Sequence, residues 1–460
     1  MDELKVILED IVGKENVSDD DFERICYSRG ANADIAREPL IIVRPKNKEQ
    51  ISEIVKTANR LKVPILSWGG ASNVVGAFSS GCVVVDLTGL DKKIEIDEES
   101  LTVTATANVT WTQLLYELNK KGWTTGPLGH AAISATLGGA VALCGNGPHS
   151  ARYGLVGDQI TGVEAVLPSG EVVRTGSGAY PNAGNFIRYA WGSDLTGLFL
   201  GSHGIFGIVT EVSLKIDMLS EFSQSHPFEF AEIEKLARAI HNIQKRRMRT
   251  VEWIMYVLMG NIPIDEDTRY ILGITLTGDK EEVDYSGKVV NQICSDGGTP
   301  GGLASMLVEE KTTGRVFFQG TKILGNYLML MPLCSCIPPL RMPSLVKAYG
   351  EAIEKLQLRD YDILPAFNGH ACQTTVVASP VLYYNQSDEK SHAKALEAAP
   401  IITERLAQEV GFTPHYVGRT KNTPESFWKL GAYYELLKSI KKALDPNNIM
   451  NPGQLFFANY

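Results

Sequence analysis

Two Gly-rich passages carry the densest chemistry in the chain: TGPLGHAAISATLGGAVALCGNG, ending at Gly147, and FLGSHGIFGIVTE, ending at Glu211. Between them stand Arg152-Tyr153-Gly154, Asp158 and the turn-like Leu167-Pro168-Ser169-Gly170. Glycine clusters let main-chain N–H groups approach a ligand closely, because no Cβ intervenes and positive φ costs little. Such a surface suits a phosphate. The same small residues also serve tight packing of a helix on a sheet, so one cluster alone decides nothing.

The rest of the composition narrows the chemistry. A net charge of -9 and a pI of about 5.5 argue against a nucleic-acid-binding surface. Seven cysteines, Cys26, Cys82, Cys144, Cys294, Cys334, Cys336 and Cys372, are scattered without a C-x-x-C, which is no disulfide framework. Cys334 and Cys336 form a lone C-x-C that cannot complete a tetrahedral zinc or iron-sulfur site, and ordinary buried thiols are expected. No apolar run approaches the roughly 18 residues of a membrane span, and Met1-Asp2-Glu3 is acidic rather than signal-like. A cytoplasmic, soluble protein is expected.

A chain of 460 residues, 44% of them hydrophobic, predicts two to three units. The opening reads as a packing helix over Asp2 to Ile11, then a strand at Pro39 to Val43, a helix at Lys48 to Leu61 and a strand at Pro64 to Leu66. That second strand enters Ser67-Trp68-Gly69-Gly70-Ala71-Ser72-Asn73-Val74-Val75-Gly76, an anion-binding type of loop, and the strand Cys82 to Leu87 follows. The loop lacks G-x-G-x-x-G spacing and a terminal Gly-Lys-Ser/Thr, so neither a dinucleotide fingerprint nor a Walker A loop is supported. β-like runs at Ile94 to Asp97 and Thr102 to Thr106, a helix at Thr110 to Lys120, and the alternating strand Gly207 to Lys215 close the first α+β unit near residue 217.

From 218 to 420 the pattern predicts helices at Ile233 to Arg247, Glu281 to Cys294, Leu345 to Leu356 and Lys390 to Val410. Strands are expected at Thr250 to Val257, Tyr270 to Thr275, Ile363 to Phe367 and Thr374 to Ala378, with an irregular Gly/Pro-rich region over Gly297 to Pro343. Such pairing points to an antiparallel sheet backed by helices, and residues 421–460 return to the first unit.

Taken in order, the small-residue loop, the strand Val83-Val84-Val85-Asp86-Leu87, ATLGGAVA with Gly145-Asn146-Gly147, Arg152-Tyr153-Gly154, VLPSGEVVRTG and LFLGSHGIFGIVTE closely resemble the FAD-binding domain of the vanillyl-alcohol oxidase/p-cresol methylhydroxylase superfamily. Glycolate oxidase and D-lactate dehydrogenase flavoproteins belong to that group. The match returns at Leu444-Asp445-Pro446 and Ile449-Met450-Asn451-Pro452-Gly453. The resemblance implies a two-subdomain FAD domain over 1–217, a substrate or cap domain over 218–420 and a C-terminal return. It implies that Trp68, Gly69, Gly70, Ala71, Ser72, Asn73 and Gly76 hold the diphosphate. Gly129, His130, Thr136, Gly138, Gly139, Ala142, Gly145 and Asn146 would line the cofactor, with Gly207 and Ile208 at the ring edge and Asn451 and Pro452 returning to the isoalloxazine. Trp68 stands where the family commonly has Arg, and Asn73 and Ala77 stand where glycines are common. No His occurs between Met1 and Gly129, so covalent attachment through the diphosphate loop is unavailable and non-covalent FAD is expected.

The implied chemistry is transfer of a hydride from a hydroxylated small molecule or 4-alkylphenol to flavin N5, with electrons passed on to an acceptor. The acceptor protein would come from another chain, since this one has no iron-sulfur Cys set, and a homo-oligomer or a subunit of a complex is expected. Metal-using relatives carry a His-rich motif of which only Gly369-His370-Ala371 survives, with Val377 at its second His and His415-Tyr416-Val417-Gly418 near its later part. No metal is therefore expected, because a lone imidazole is a poor site, and His370 reads as an acid/base or a hydrogen-bonded strand-end residue. Phenol-oxidising relatives use a Tyr-Arg pair. Tyr416 and Arg419 resemble it in outline, with Tyr384 as a second phenol, and a guanidinium with a phenolic OH can stabilise a substrate oxyanion. The alternatives are a metal-assisted 2-hydroxy-acid dehydrogenase and a flavin electron-transfer subunit.

Overall fold

The computed structural model describes residues 2–28, 38–72, 81–129, 131–147, 149–190, 192–259, 268–305, 327–330, 334–411, 413–414 and 430–454. Three main sheets organise them.

The first sheet is ordered Val17–Ser18, Ile41–Val43, Val83–Asp86, Ile65–Trp68, and its last three strands run parallel. Parallel strands are covered on both faces, which explains why Ile41–Val43 and Val83–Asp86 are buried throughout. Helix Lys48–Leu61 covers one face with Ile51, Ile54, Val55 and Ala58. Asn47 caps its N-terminus by accepting the Gln50 N–H at 3.0 Å, and Lys62 ends it in the left-handed region.

The second sheet is antiparallel, in the order Ile94–Asp97, Thr102–Thr106, Ile208–Lys215, Ile160–Val166, Val172–Arg174. Glu164, almost fully buried in Ile160–Val166, ties the two sheets together. Its carboxylate accepts from Lys48 Nζ of the first unit and from Arg174, each at 2.9 Å, and from Thr210 Oγ1 at 2.9 Å. Burial opposes its ionisation, but the hydrogen bonds from Lys48, Thr210 and Arg174 prevail and hold it below the ordinary carboxylate range.

The third sheet is antiparallel throughout and runs from Gly298–Pro300 through Phe222–Phe230, Arg269–Gly278, Val251–Met259, Ile363–Cys372 and Thr375–Asn385 to Ser335–Ile337 and Thr413–Pro414. Tyr327–Leu330 also pairs with Thr375–Asn385. Helices Ile233–Arg246, Lys280–Cys294, Met342–Lys355 and Glu389–Val410 bury their apolar stripes against one face of this sheet. The central hairpin, Ile363–Cys372 with Thr375–Asn385, is much longer than its sequence predicts. Its pairing runs past the predicted ends at Phe367 and Ala378, and Tyr256 opposite Gly369 donates its phenol to the Val377 carbonyl at 2.7 Å. Pro380 falls between the stretch paired with Ser335–Ile337 and the stretch paired with Tyr327–Leu330. The Gly/Pro-rich region expected to be irregular contributes the short strands Gly298–Pro300, Tyr327–Leu330 and Ser335–Ile337.

Helix Ala432–Leu444 then returns to the second sheet, packing Tyr434, Leu437, Ile440 and Leu444 on its core. Beyond it Ile449 and Met450 join the core of the first sheet, where the Ile65 N–H donates to the Ile449 carbonyl at 2.7 Å. Lys441 is fully buried in this return. Its ammonium meets the Asp445 carboxylate and donates to the carbonyls of Ile205 at 2.9 Å and Met450 at 3.0 Å.

Two outcomes follow from these buried charges. Glu164→Gln is expected to lower stability at neutral pH by about 2 kcal/mol. A carboxyl held low in the folded state contributes above its unfolded value, so the gap between wild type and variant should close as pH falls through the folded value; a gap independent of pH by denaturant titration would contradict this. Lys441→Met should be costlier, about 3 kcal/mol or more, because it strands the buried Asp445 carboxylate. A melting temperature within a degree of wild type would contradict that assignment.

Candidate functional site

The glycine passages meet at the ends of the first two sheets. Ile65–Trp68 runs out into Gly69 and Gly70, which lie against the segment Ser134 to Thr136. A Cβ on Gly70 would stand 1.7 Å from the Ser134 carbonyl oxygen, so only glycine permits this approach. Thr136 caps helix Leu137–Leu143 by accepting the Gly139 N–H at 3.4 Å, and the Gly138 N–H donates to the Ala107 carbonyl at 2.8 Å. Ala71 adopts φ 50° and, with Ser72, is exposed at the rim.

Downstream, the Gly145-Asn146-Gly147 turn crosses the Leu128-Gly129 segment. A Cβ on Gly147 would lie 1.2 Å from the Leu128 carbonyl oxygen, which again admits glycine alone. The Ala142 carbonyl accepts from the His203 N–H at 2.8 Å, and the Gly145 carbonyl accepts from the Val156 N–H at 2.8 Å. The second glycine passage is thereby laid beside the first.

Asn451 closes the arrangement. Its side-chain carbonyl accepts the Ser67 N–H at 3.0 Å, while its amide donates to the His203 carbonyl at 2.6 Å and to Ser67 Oγ at 3.2 Å. Its own N–H donates to the Ile65 carbonyl at 2.8 Å. Pro452 follows, half-buried, and Gly207 and Ile208 sit beneath, with Ile208 packed in the same core as Ile449 and Met450. The strand end, both glycine passages and the C-terminal return thus meet in one patch where glycine and main chain make the close approaches. That patch suits a diphosphate and a flat ring, and the residues that would hold them by the resemblance are Trp68, Gly69, Gly70, Ala71, Ser72, Gly129, Thr136, Gly138, Gly139, Ala142, Gly145, Asn146, Gly207, Ile208, Asn451 and Pro452. Asn73, Gly76 and His130 lie outside the described residues.

The third sheet presents its open face to this unit. Met255, His370, Val377 and Cys336 are direct cross-strand partners in one row. Their neighbours along the row's strands on the same face are Asn368, Cys372, Ser379 and Cys334, by the alternation of strand side chains. Ile254, Tyr256, Phe367, Ala371 and Ala378 point the other way, into the helix-covered core. His370, Ser379, Cys334 and Cys372 are nearly inaccessible. Asn146 lies beside the Cys334 thiol, and the Gln373 N–H donates to the Ser150 carbonyl at 3.3 Å, so this face abuts the glycine turn directly. Burial pushes the Cys334 thiol up to about 12 and Cys336 up to about 11, leaving neutral thiols rather than nucleophiles.

His370 therefore faces the cofactor unit, with Val377 directly across the hairpin. Tyr384 does not. It lies on the helix-covered side, stacked on His392 with ring centroids 5.1 Å apart, which corrects its assignment as a substrate phenol. The period of two along Thr375–Asn385 sends Tyr383, not Tyr384, to the side of His370. Tyr416 and Arg419 lie outside the described residues. Among the described residues, no group of three His, Cys, Asp or Glu is placed to hold a metal ion, and no helix is long and apolar enough to cross a membrane. Sequence reasoning missed a cluster in the same seam: His149, Arg152 and Tyr153 beside Glu252 and Asp217. Arg152-Tyr153-Gly154 was visible as a motif, but nothing local marks Glu252 as its neighbour.

Residues 39–176 match the family described as FAD binding domain, and residues 225–455, half of the chain, match the family described as FAD linked oxidases, C-terminal domain. Glycolate oxidase subunit GlcD of Bacillus subtilis is 27% identical, over 99% of this chain and 97% of that protein. The mitochondrial D-lactate dehydrogenase [cytochrome] of Arabidopsis thaliana is 26% identical, over 98% of this chain and 79% of that protein. Among solved structures, p-cresol methylhydroxylase with substrate bound superposes with a TM-score of 0.84 at 18% identity, covering 100% of this chain and 98% of that one, a likeness of fold. With a flavin domain matched in front and an oxidase domain matched behind it, the chain belongs to the FAD-linked oxidases and is an FAD-dependent oxidoreductase of the glycolate oxidase and D-lactate dehydrogenase kind.

Proposed function

We propose that this enzyme oxidises a hydroxylated small molecule or a 4-alkylphenol, transferring a hydride to flavin N5 and passing the electrons to an acceptor protein from another chain. The observation that carries the reading is the polar face of the third sheet. Asn368, His370 and Ser379 sit on that face, toward the glycine-lined cofactor patch, while the opposite face is apolar and sealed by helices. Polar side chains on one face of an otherwise apolar sheet give a hydroxylated substrate between sheet and cofactor groups to hydrogen-bond.

The flavin, when bound, supplies the hydride acceptor. The chain's own residues have the remaining work: excluding water from the seam, orienting the substrate against the sheet face, and stabilising or removing the charge on its oxygen. His370, on the polar face of the sheet, would meet the substrate. Arg419 and Tyr416, assigned by resemblance, would pair with the substrate's oxyanion or carboxylate. The names of the relatives that match nearly the whole chain, glycolate oxidase and D-lactate dehydrogenase, favour a 2-hydroxy acid within this class.

We take turnover to need no divalent metal, since Val377 opposite His370 cannot coordinate. The flavin is held non-covalently.

Three outcomes test this reading. Purified protein is expected to be yellow and to release FAD on acid precipitation; flavin that stays with the precipitate would mean covalent attachment. Mixed anaerobically with a panel of 2-hydroxy acids and 4-alkylphenols, the bound flavin should bleach with members of one class, before and after dialysis against a strong chelator. Bleaching by none of them would favour the electron-transfer subunit, and bleaching lost with chelation and restored by zinc or manganese would favour the metal-assisted dehydrogenase. Arg419→Ala should slow reduction by about 2–4 kcal/mol in barrier with FAD content unchanged; wild-type rates would return Arg419 to the surface.

A further inference from the structure

His149 lies in the seam between the cofactor unit and the third sheet. It immediately precedes the short helix Ser150–Tyr153, which packs on strands Val251–Met259 and Ile363–Cys372. Its main-chain carbonyl accepts from the N–H groups of Arg152 and Tyr153, at 3.2 and 3.0 Å, while its ring caps nothing. The ring turns instead toward the sheet, with Nδ1 3.6 Å from Glu252 Oε1. Two residues earlier in the chain, Gly147 crosses Leu128-Gly129 beside the cofactor patch. Cys372, next to the Gln373 that holds Ser150, shares a strand face with His370.

Glu252 owes its direction to an irregularity. Val251 pairs with Leu276 and Trp253 with Thr275, so Glu252 is the extra residue of a β-bulge. Bulges re-aim single side chains, and they are common beside active sites. Two buried polar atoms in this cluster have no hydrogen-bond partner among the described residues, His149 Nδ1 and Arg152 Nε, and the Tyr153 phenol lies beside Asp217. The charged groups facing the imidazole are Glu252 from the sheet and Arg152 from its own helix, and Arg152 in turn lies 3.9 Å from Asp217. An imidazole beside a carboxylate, in a seam with polar capacity to spare, is the arrangement of a base and its orienting group, and such contacts run long before substrate is present.

We infer that His149, oriented by Glu252, accepts the proton of the substrate's hydroxyl during flavin reduction. The inference rests on the oxidation proposed above. For an alcohol substrate such as a 2-hydroxy acid, the O–H bond would break and its proton pass to the imidazole, the C–H bond on the same carbon would break and its electron pair leave as hydride to the flavin, and that carbon and oxygen would become a carbonyl. Burial holds the imidazole below its ordinary value, Glu252 partly opposes this and Arg152 adds to it, so the ring is neutral and able to accept a proton at neutral pH.

The test compares FAD-loaded wild type, His149→Ala and Glu252→Gln. Flavin content and circular dichroism are recorded first. Anaerobic flavin reduction by the bleaching substrate is then followed across pH, and His149 is titrated by NMR of carbon-13-labelled histidine without substrate. His149→Ala should reduce its flavin on the order of 10²–10⁴-fold more slowly, with part of the rate restored by added imidazole. Glu252→Gln removes the group that raises the imidazole, so both the acid limb of the rate profile and the NMR titration of His149 should move to lower pH. Reduction of His149→Ala at the wild-type rate overturns the inference and leaves the oxidation standing. A slow variant that imidazole does not rescue, with the acid limb unmoved in Glu252→Gln, assigns His149 a structural role and overturns it too. If His149→Ala loses its flavin, the acid limb of Glu252→Gln decides. Failure of the wild-type flavin to bleach with any substrate sinks the oxidation itself, and the inference with it.

Discussion

A lysine with no access to water anchors the cofactor side of this protein. Burying an ammonium costs several kcal/mol unless every proton finds an acceptor, and Lys441 finds Asp445 and the carbonyls of Ile205 and Met450. Those acceptors come from two places, the second glycine passage and the C-terminal turn. Asp445 in turn accepts the N–H groups of Ile449 at 3.0 Å and Met450 at 2.8 Å, so the turn is shaped by the same pair. Once it is shaped, Asn451 arrives between Ser67 and His203 and fixes the strand end against the glycine loop. Segments more than 380 positions apart thus form one surface, and no part of that surface has the right shape alone.

The third sheet shows the opposite economy of polarity on its two faces. Its helix side is closed by aliphatic and aromatic residues, which supply most of the unit's stability through burial. Its other side carries an imidazole, a hydroxyl and thiols closed to water, with the half-buried amide of Asn368 beside them. A sheet with one face committed to stability leaves the other free to meet a ligand, and here that face meets the glycine turn at Asn146 and Ser150.

The cofactor half was largely legible in the sequence. Its loops need glycine at particular close approaches, such as Gly70 on Ser134 and Gly147 on Leu128, and that requirement leaves a linear trace. The helices were legible for a related reason, since amphipathic periodicity survives in Lys48–Leu61 and Glu389–Val410. The long hairpin was read short, with ends at Phe367 and Ala378, because the partners that carry the pairing past Gly369 and Pro380 come from other parts of the chain. Tyr384 was misplaced for want of strand parity, which depends on where the strand begins. The pairing of His149 with Glu252 left no trace, because a bulge in one strand and a helix about 100 positions away must meet before it exists.

The central claim is that the C-terminal clasp shapes the cofactor surface rather than merely adding stability. Asn451→Ala tests it most directly, with FAD affinity of the refilled apoprotein measured by fluorescence titration beside a thermal melt of the same sample. Loss of the clasp should weaken FAD by about tenfold or more, the equivalent of about 1.4 kcal/mol, while the protein stays folded. Wild-type FAD affinity in a folded but less stable variant would contradict the claim.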